Sequence, residues 1–172
     1  LAYYNNQTTN NNYIVAIANV GGQATGFQKK LDASNNIPAG SWVNIGSSGL
    51  PSNYTDDTQP VFTYATNQLI ITFPSSTQVK PLAWQATANI YQLSQDPNLP
   101  NATMDAYYNN ILFVAGNSSN PWRVSFSDLT NGIGVWVATD FFDLDKNNGH
   151  YITALIPAFG NLYIFEDNSI WM

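Results

Sequence analysis

Asn109–Asp128 reads NNILFVAGNSSNPWRVSFSD. An apolar run of strand length, Ile111–Gly116, ends in a polar turn with an Asn-Pro, and a second run, Trp122–Asp128, follows. β-Branched and aromatic residues bounded by Asn, Ser, Gly and Pro spell short strands joined by tight turns. The same grammar extends in both directions. Upstream, VFTYATNQLIITF (Val61–Phe73) is a pair of runs interrupted at Thr66–Asn67, and LAWQATANIYQL (Leu82–Leu93) alternates apolar and polar residues. Downstream, YITALIPAFGNLYIFEDNSIWM (Tyr151–Met172) holds another pair. Nearer the start, YIVAIANV (Tyr13–Val20) precedes the breaker GGQATG, a strand from Phe27 and a short strand around Trp42. The opening LAYYNNQTTNNN is polar and low in complexity, and is expected to fray or loop.

Aligned on the turn before the strongest strand, Asn67-Gln68-Leu69-Ile70-Ile71 matches Asn109-Asn110-Ile111-Leu112-Phe113 and Gly160-Asn161-Leu162-Tyr163-Ile164. A Pro and a Trp follow the first two, as Pro81 with Trp84 and Pro121 with Trp122. Units of roughly 40–50 residues with about four strands each are the signature of propeller blades, which bury their faces only by stacking. The expectation is an all-β, β-propeller-like chain with units at roughly 13–59, 60–101, 102–150 and 151–172. Three and a half such units are too few to close a ring, so the chain reads as an incomplete propeller or a segment of a longer one. A β-sandwich with accidental likeness at the turns is the alternative.

Composition agrees with strands. Charged residues are 9% of the 172, against a usual ~25%. Twenty-three Asn carry much of the polarity, and aromatics reach 14%. Glu166, Arg123 and His150 are each the single residue of their type, so helix-stabilising Glu–Lys ladders have no material. A net charge of −6 offers no basic face for nucleic acid, although an acidic wall past which DNA slides is compatible with it. The absence of Cys removes disulfides and thiolate chemistry. No apolar run approaches the ~20 residues of a helical membrane span.

Three constellations could carry chemistry. Asp143-Leu-Asp145-Lys-Asn147-Asn-Gly149 alternates oxygen side chains ahead of a Gly, as a calcium loop does. Its Gly comes seventh rather than sixth, and Ala154 stands where a twelfth-position Glu would close the site, so a blade-connecting turn is the competing reading. Asp143, Asp145 and Asn147 are thus the candidate ligands for Ca2+. Arg123 invites a structural ion pair, with Asp128 as a candidate partner. Asp140, Asp143, Asp145, Glu166 and Asp167 could supply the paired carboxylates of a glycosidase. No G-x-S-x-G elbow occurs, and His150 reads as a turn residue or a strand-start hydrogen-bonder.

From Met104 onward the text NNILFVAGNSSNPWRVSFSD…VW, FFDLD and HYITALIPAFGNLYIFEDNSIW resembles the propeller-type neck and tail proteins of bacteriophages. These are the packaged-DNA stabilisation or tail-hub proteins of short-tailed phages and the related tail-nozzle proteins. The resemblance covers Met104–Met172, is weak over Val61–Tyr91 and is absent before that. It implies a non-enzymatic virion protein of the neck or tail. Such a protein would assemble with itself into a ring, commonly a hexamer, beside portal, adaptor or other tail proteins. The ring would help form the DNA exit channel without specific binding, and needs no cofactor. Family members are considerably longer, which leaves the oligomerising surfaces undefined. Two rivals stand beside it. One is a glycan-binding propeller or tail adhesin using Trp42, Trp84, Trp122 and Trp136 as sugar-stacking platforms. The other is a propeller glycoside hydrolase.

Overall fold

The computed structural model describes residues 1–52, 54, 59–74, 79–86, 89–146 and 148–172. Among them are fifteen strands and no helix, gathered into four antiparallel sheets of consecutive strands. The first sheet holds β1 (Ala2–Asn6), β2 (Asn11–Val20), β3 (Gln23–Lys30) and β4 (Val43–Gly46). The second holds β5 (Val61–Ala65), β6 (Gln68–Thr72), β7 (Leu82–Trp84) and β8 (Tyr91–Gln92). The third holds β9 (Met104–Tyr108), β10 (Ile111–Ala115), β11 (Arg123–Phe126) and β12 (Phe141–Asp143). The fourth has three strands, β13 (Ile152–Ala158), β14 (Asn161–Glu166) and β15 (Ile170–Trp171). Each sheet is a meander, so every strand pairs with its neighbour in sequence.

Backbone chemistry at the hairpins explains the repeat. Thr66–Asn67, Asn109–Asn110 and Phe159–Gly160 each place two successive residues at positive φ, as a two-residue type I′ turn demands. That turn matches the right-handed twist of the strands it joins, and Asn tolerates the left-handed region better than other non-glycine residues. The turns therefore fix the equivalences as Asn67, Asn110 and Gly160. The sequence alignment had used Asn109, one residue early. A one-residue slip exchanges the two faces of a strand, so the corrected register decides which side chains correspond. Leu69, Leu112 and Leu162 share one position, followed by Ile70, Phe113 and Tyr163, then Ile71, Val114 and Ile164.

The polar opening segment does not fray. It forms β1 and the start of β2, because Tyr4 is fully buried and its hydroxyl donates to the Asn67 carbonyl of the second sheet at 2.7 Å. Asn6 closes the β1–β2 turn by accepting from the Thr8 and Thr9 amides. Leu82–Leu93 holds two paired strands, β7 and β8.

The sheets pack face to face in sequence order. Strand alternation sends Leu69, Ile71, Leu82 and Trp84 of the second sheet toward Tyr4, Tyr13 and Val15 of the first. Ala65, Ile70 and Ala83, on its other face, meet Leu112 and Val114 of the third. Ala106, Ala115 and Val124 of the third then meet Ile152, Leu155 and Ile164 of the fourth. The core is thus three apolar layers between four sheets. Trp84 anchors the first layer, with ring centroids 5.0 Å from Tyr4 and 5.6 Å from Tyr13, both edge-on. Gly26 leaves room here for the end of the Ile90 side chain, which an added Cβ would have to displace.

Candidate functional site

β11 and β12 pair with Arg123 directly opposite Asp143. Arg123 donates from Nε to Asp143 Oδ1 at 2.7 Å and from Nη2 to Oδ2 at 3.0 Å. Its guanidinium lies 3.4 Å over the Phe141 ring centroid. Lys146 approaches the same carboxylate at 3.5 Å. Hydrogen bonding from Arg123 holds the Asp143 carboxyl below its ordinary range, and the pairing pushes Arg123 upward. The ion pair anticipated for Arg123 therefore forms, with Asp143 rather than Asp128. Asp128 instead closes its own turn, accepting from the Thr130 and Asn131 amides at 2.8 and 2.7 Å, and those bonds lower its pKa.

This geometry bears on the calcium reading. Both Asp143 oxygens are engaged by Arg123, and Asp145 is solvent-exposed with its backbone at positive φ. Asn147 lies outside the described residues. Among the described residues no three His, Cys, Asp or Glu side chains come together as a metal-holding group. Arg123, Asn98, Asn117, Asn120 and Asp140 instead line a cavity of about 130 Å³ beside the third sheet.

Two other sequence candidates, Glu166 and Asp167, take part in local side-chain bonds. Glu166 accepts from Ser169 Oγ at 2.6 Å and from Trp171 Nε1 at 2.7 Å. Asp167 Oδ1 lies 2.9 Å from His150 Nδ1, and the other ring nitrogen of His150 is 2.8 Å from Asn168 Nδ2, so His150 ties the β14–β15 turn to the start of β13. Of the four Trp proposed as sugar platforms, Trp84 and Trp136 are buried in the layers and Trp122 is half-buried. Trp42 remains exposed.

Sequence reasoning missed Asp105. It sits on β9 between the second and third sheets, at the position held by Phe62 in the sheet before and Leu155 in the sheet after. Thr63 and Thr72 donate their hydroxyls to its Oδ1 at 3.1 and 3.2 Å, and Oδ2 has no hydrogen-bond partner among the described residues. Burial pushes its pKa up to about 7. An isolated Asp in the text gives no warning of this, because its burial comes from a neighbouring sheet.

An apolar surface of the fourth sheet stands out by position. Tyr163 and Phe165 occupy the positions of Ile70 and Thr72 in the second sheet and of Phe113 and Ala115 in the third. There the next sheet covers them. Ile156 corresponds to Ala106, which is 2% exposed, yet Ile156 is 44% exposed. With Ala158 and Phe159 these side chains line an apolar groove of about 360 Å³. The signal in the text was the unbroken run Leu162-Tyr163-Ile164-Phe165, which is how a strand buried on both faces reads. No protein-family model, curated protein or solved structure matches the chain.

Proposed function

We propose that this protein is a non-enzymatic building component of propeller type, working by assembly in a phage neck or tail as a hub or nozzle element beside the DNA exit channel. The observation that carries the reading is the outward face of the fourth sheet. It keeps apolar side chains at the positions that two preceding sheets bury against a neighbour, so the series is written to continue. Four meander sheets in which the first strands β5, β9 and β13 contact one another in turn support a blade-like reading. A chain with net charge −6 suits a wall that passing DNA does not grip. The phage assignment rests on the resemblance of residues 104–172, and the assembly role rests on the sheet faces.

Light scattering with low-resolution particle imaging of the native assembly tests both. A ring, alone or on the axis of a tail, supports the reading. A monodisperse monomer with no affinity for portal or tail proteins overturns it.

A further inference from the structure

We propose that the cavity beside the third sheet is a binding site for one neutral sugar ring, either a free monosaccharide or the end residue of a glycan. Its volume of about 130 Å³ is close to the ~150 Å³ of a cavity that holds one benzene ring, so it seats a single six-membered ring. The site is independent of the assembly reading, because its walls all come from residues 98–141 of one chain.

Those walls are held by bonds within the protein. Asp96 Oδ2 accepts from the Trp136 amide at 3.1 Å, and Asn98 Nδ2 donates to the Trp136 carbonyl at 3.1 Å. The segment joining the second and third sheets thereby grips the β11–β12 loop. Trp136 Nε1 donates to the Ile133 carbonyl at 3.1 Å, which fixes the indole. Asn117 Nδ2 donates to the Asn101 carbonyl at 3.1 Å, and the Arg123 amide donates to the Asn120 carbonyl at 3.1 Å. The Asp140 carbonyl accepts from the Phe126 amide at 3.0 Å, and its own amide donates to the Val137 carbonyl at 2.9 Å. A site formed in advance avoids the ordering cost that weakens binding.

What the walls leave unused selects the ligand. Among the described residues, the Asp140 carboxylate, the Asn120 amide and the Ser125 hydroxyl make no side-chain hydrogen bond. Arg123 keeps Nη1 over after its two bonds to Asp143. These four residues are half-buried and line the cavity. An anion is disfavoured, because Asp143 already neutralises Arg123 and Asp140 adds a negative charge without a partner. A divalent cation would find one carboxylate where it needs several oxygens, and an ammonium group would share the space with a guanidinium. An apolar guest would strip water from four polar groups and return no bond. Hydroxyl groups donate and accept at once, and so satisfy acceptor and donors together. Val114, Ala115, Trp136 and Phe141 supply the apolar surface that the C–H faces of a sugar ring need. Trp136 is 2% exposed and acts as a wall, in contrast to the open stacking platform its sequence suggested.

Ligand-observed NMR and calorimetry with the methyl glycosides of D-glucose, D-galactose, D-mannose and D-xylose test the site. At least one of them binds, and its ring protons take up saturation from the protein. Asp140→Ala removes no side-chain bond within the protein, so it melts as the wild type does and weakens that sugar roughly tenfold or more. Asn120→Ala weakens it by a smaller factor. An oligosaccharide ending in the bound sugar separates the two sources: equal affinity shows a site for chain ends, and exclusion of the oligosaccharide shows a site for the free sugar. The proposal is overturned if none of the four glycosides binds at tens of millimolar, or if Asp140→Ala binds as tightly as the wild type. Binding of acetate or methylammonium without any sugar assigns the cavity to an ion and overturns it as well.

Discussion

The third and fourth sheets are built on the same hairpin and differ in what lies in front of them. β10 carries Phe113 and Ala115 forward into a layer closed by Ile152, Leu155 and Ile164. β14 carries Tyr163 and Phe165 forward into a groove. Their back faces, Leu112 with Val114 and Leu162 with Ile164, both pack into apolar clusters, Leu112 fully buried and Leu162 partly. Apolar patterning is therefore the same in a sheet with two neighbours and in a sheet with one. The pattern records the environment a strand is made for, and exposure records whether that environment is present.

The comparison can be broken most forcefully inside a closed layer. Trp84→Ala removes the ring that joins Tyr4 and Tyr13 in the first layer, and should cost about 3–5 kcal/mol in urea unfolding. A loss under about 1 kcal/mol would mean that the layers do not hold the fold.

Asp105 probes the second layer through pH. Its folded pKa of about 7 lies above the ordinary 3.8, so the native state keeps a proton that the unfolded chain has lost. Stability therefore falls as pH rises through that window and is level above it, by about 4 kcal/mol at most. Asp105→Asn should be the more stable protein at about pH 8 and should flatten the slope between about pH 5 and about pH 8. An unchanged slope of urea midpoints against pH would remove Asp105 as its source.

Gly116 tests the approach of β10 to its neighbour. It has φ of 82°, and an added Cβ would collide with Thr103 Oγ1. Gly116→Ala should cost about 2 kcal/mol by calorimetry. Asp143→Asn weakens the pair with Arg123, and its partly exposed geometry limits the loss to about 1 kcal/mol. Adding Ca2+ should leave the melting temperature of the wild type unchanged if Arg123 alone satisfies Asp143. A rise on Ca2+ that Asp143→Asn abolishes would identify the loop as a cation site.

The smallest effect is the sharpest comparison. Leu112→Ala, in a closed layer, should cost about 2–5 kcal/mol, whereas Ile156→Ala, on the open face, should cost under about 1 kcal/mol in the dissociated chain. Equal losses would show that the fourth sheet's outward face is covered within a single chain.

Much of the fold was legible. The hairpins at Thr66–Asn67 and Asn109–Asn110 were announced by polar turn residues between apolar runs, the one at Phe159–Gly160 by its Gly, and the all-β class by aromatic and β-branched content. The register in the third unit was not, because Asn109 and Asn110 are the same residue type and only φ tells which of them takes each place in the turn. The opening Asn-rich segment misled for a related reason. Its composition is that of a loop, yet one tyrosine, Tyr4, finds a core between two sheets. The candidate site was legible in residue type and illegible in pairing. Arg123 was marked as half of an ion pair, but the β11–β12 register, not distance along the chain, selected Asp143 over Asp128.

What is local is written in the residues: two-residue turns set by the φ tolerance of Asn and Gly, strands set by alternation, and a repeat set by both. Tertiary structure decided what depends on a distant neighbour. It buried Asp105 under Thr63 and Thr72, took Trp84 and Trp136 out of solvent, and committed Asp143 to a guanidinium. It also left Tyr163 and Phe165 facing outward. Local backbone preferences act over a few residues and are written in them, whereas burial and pairing belong to surfaces that meet only after the chain has folded.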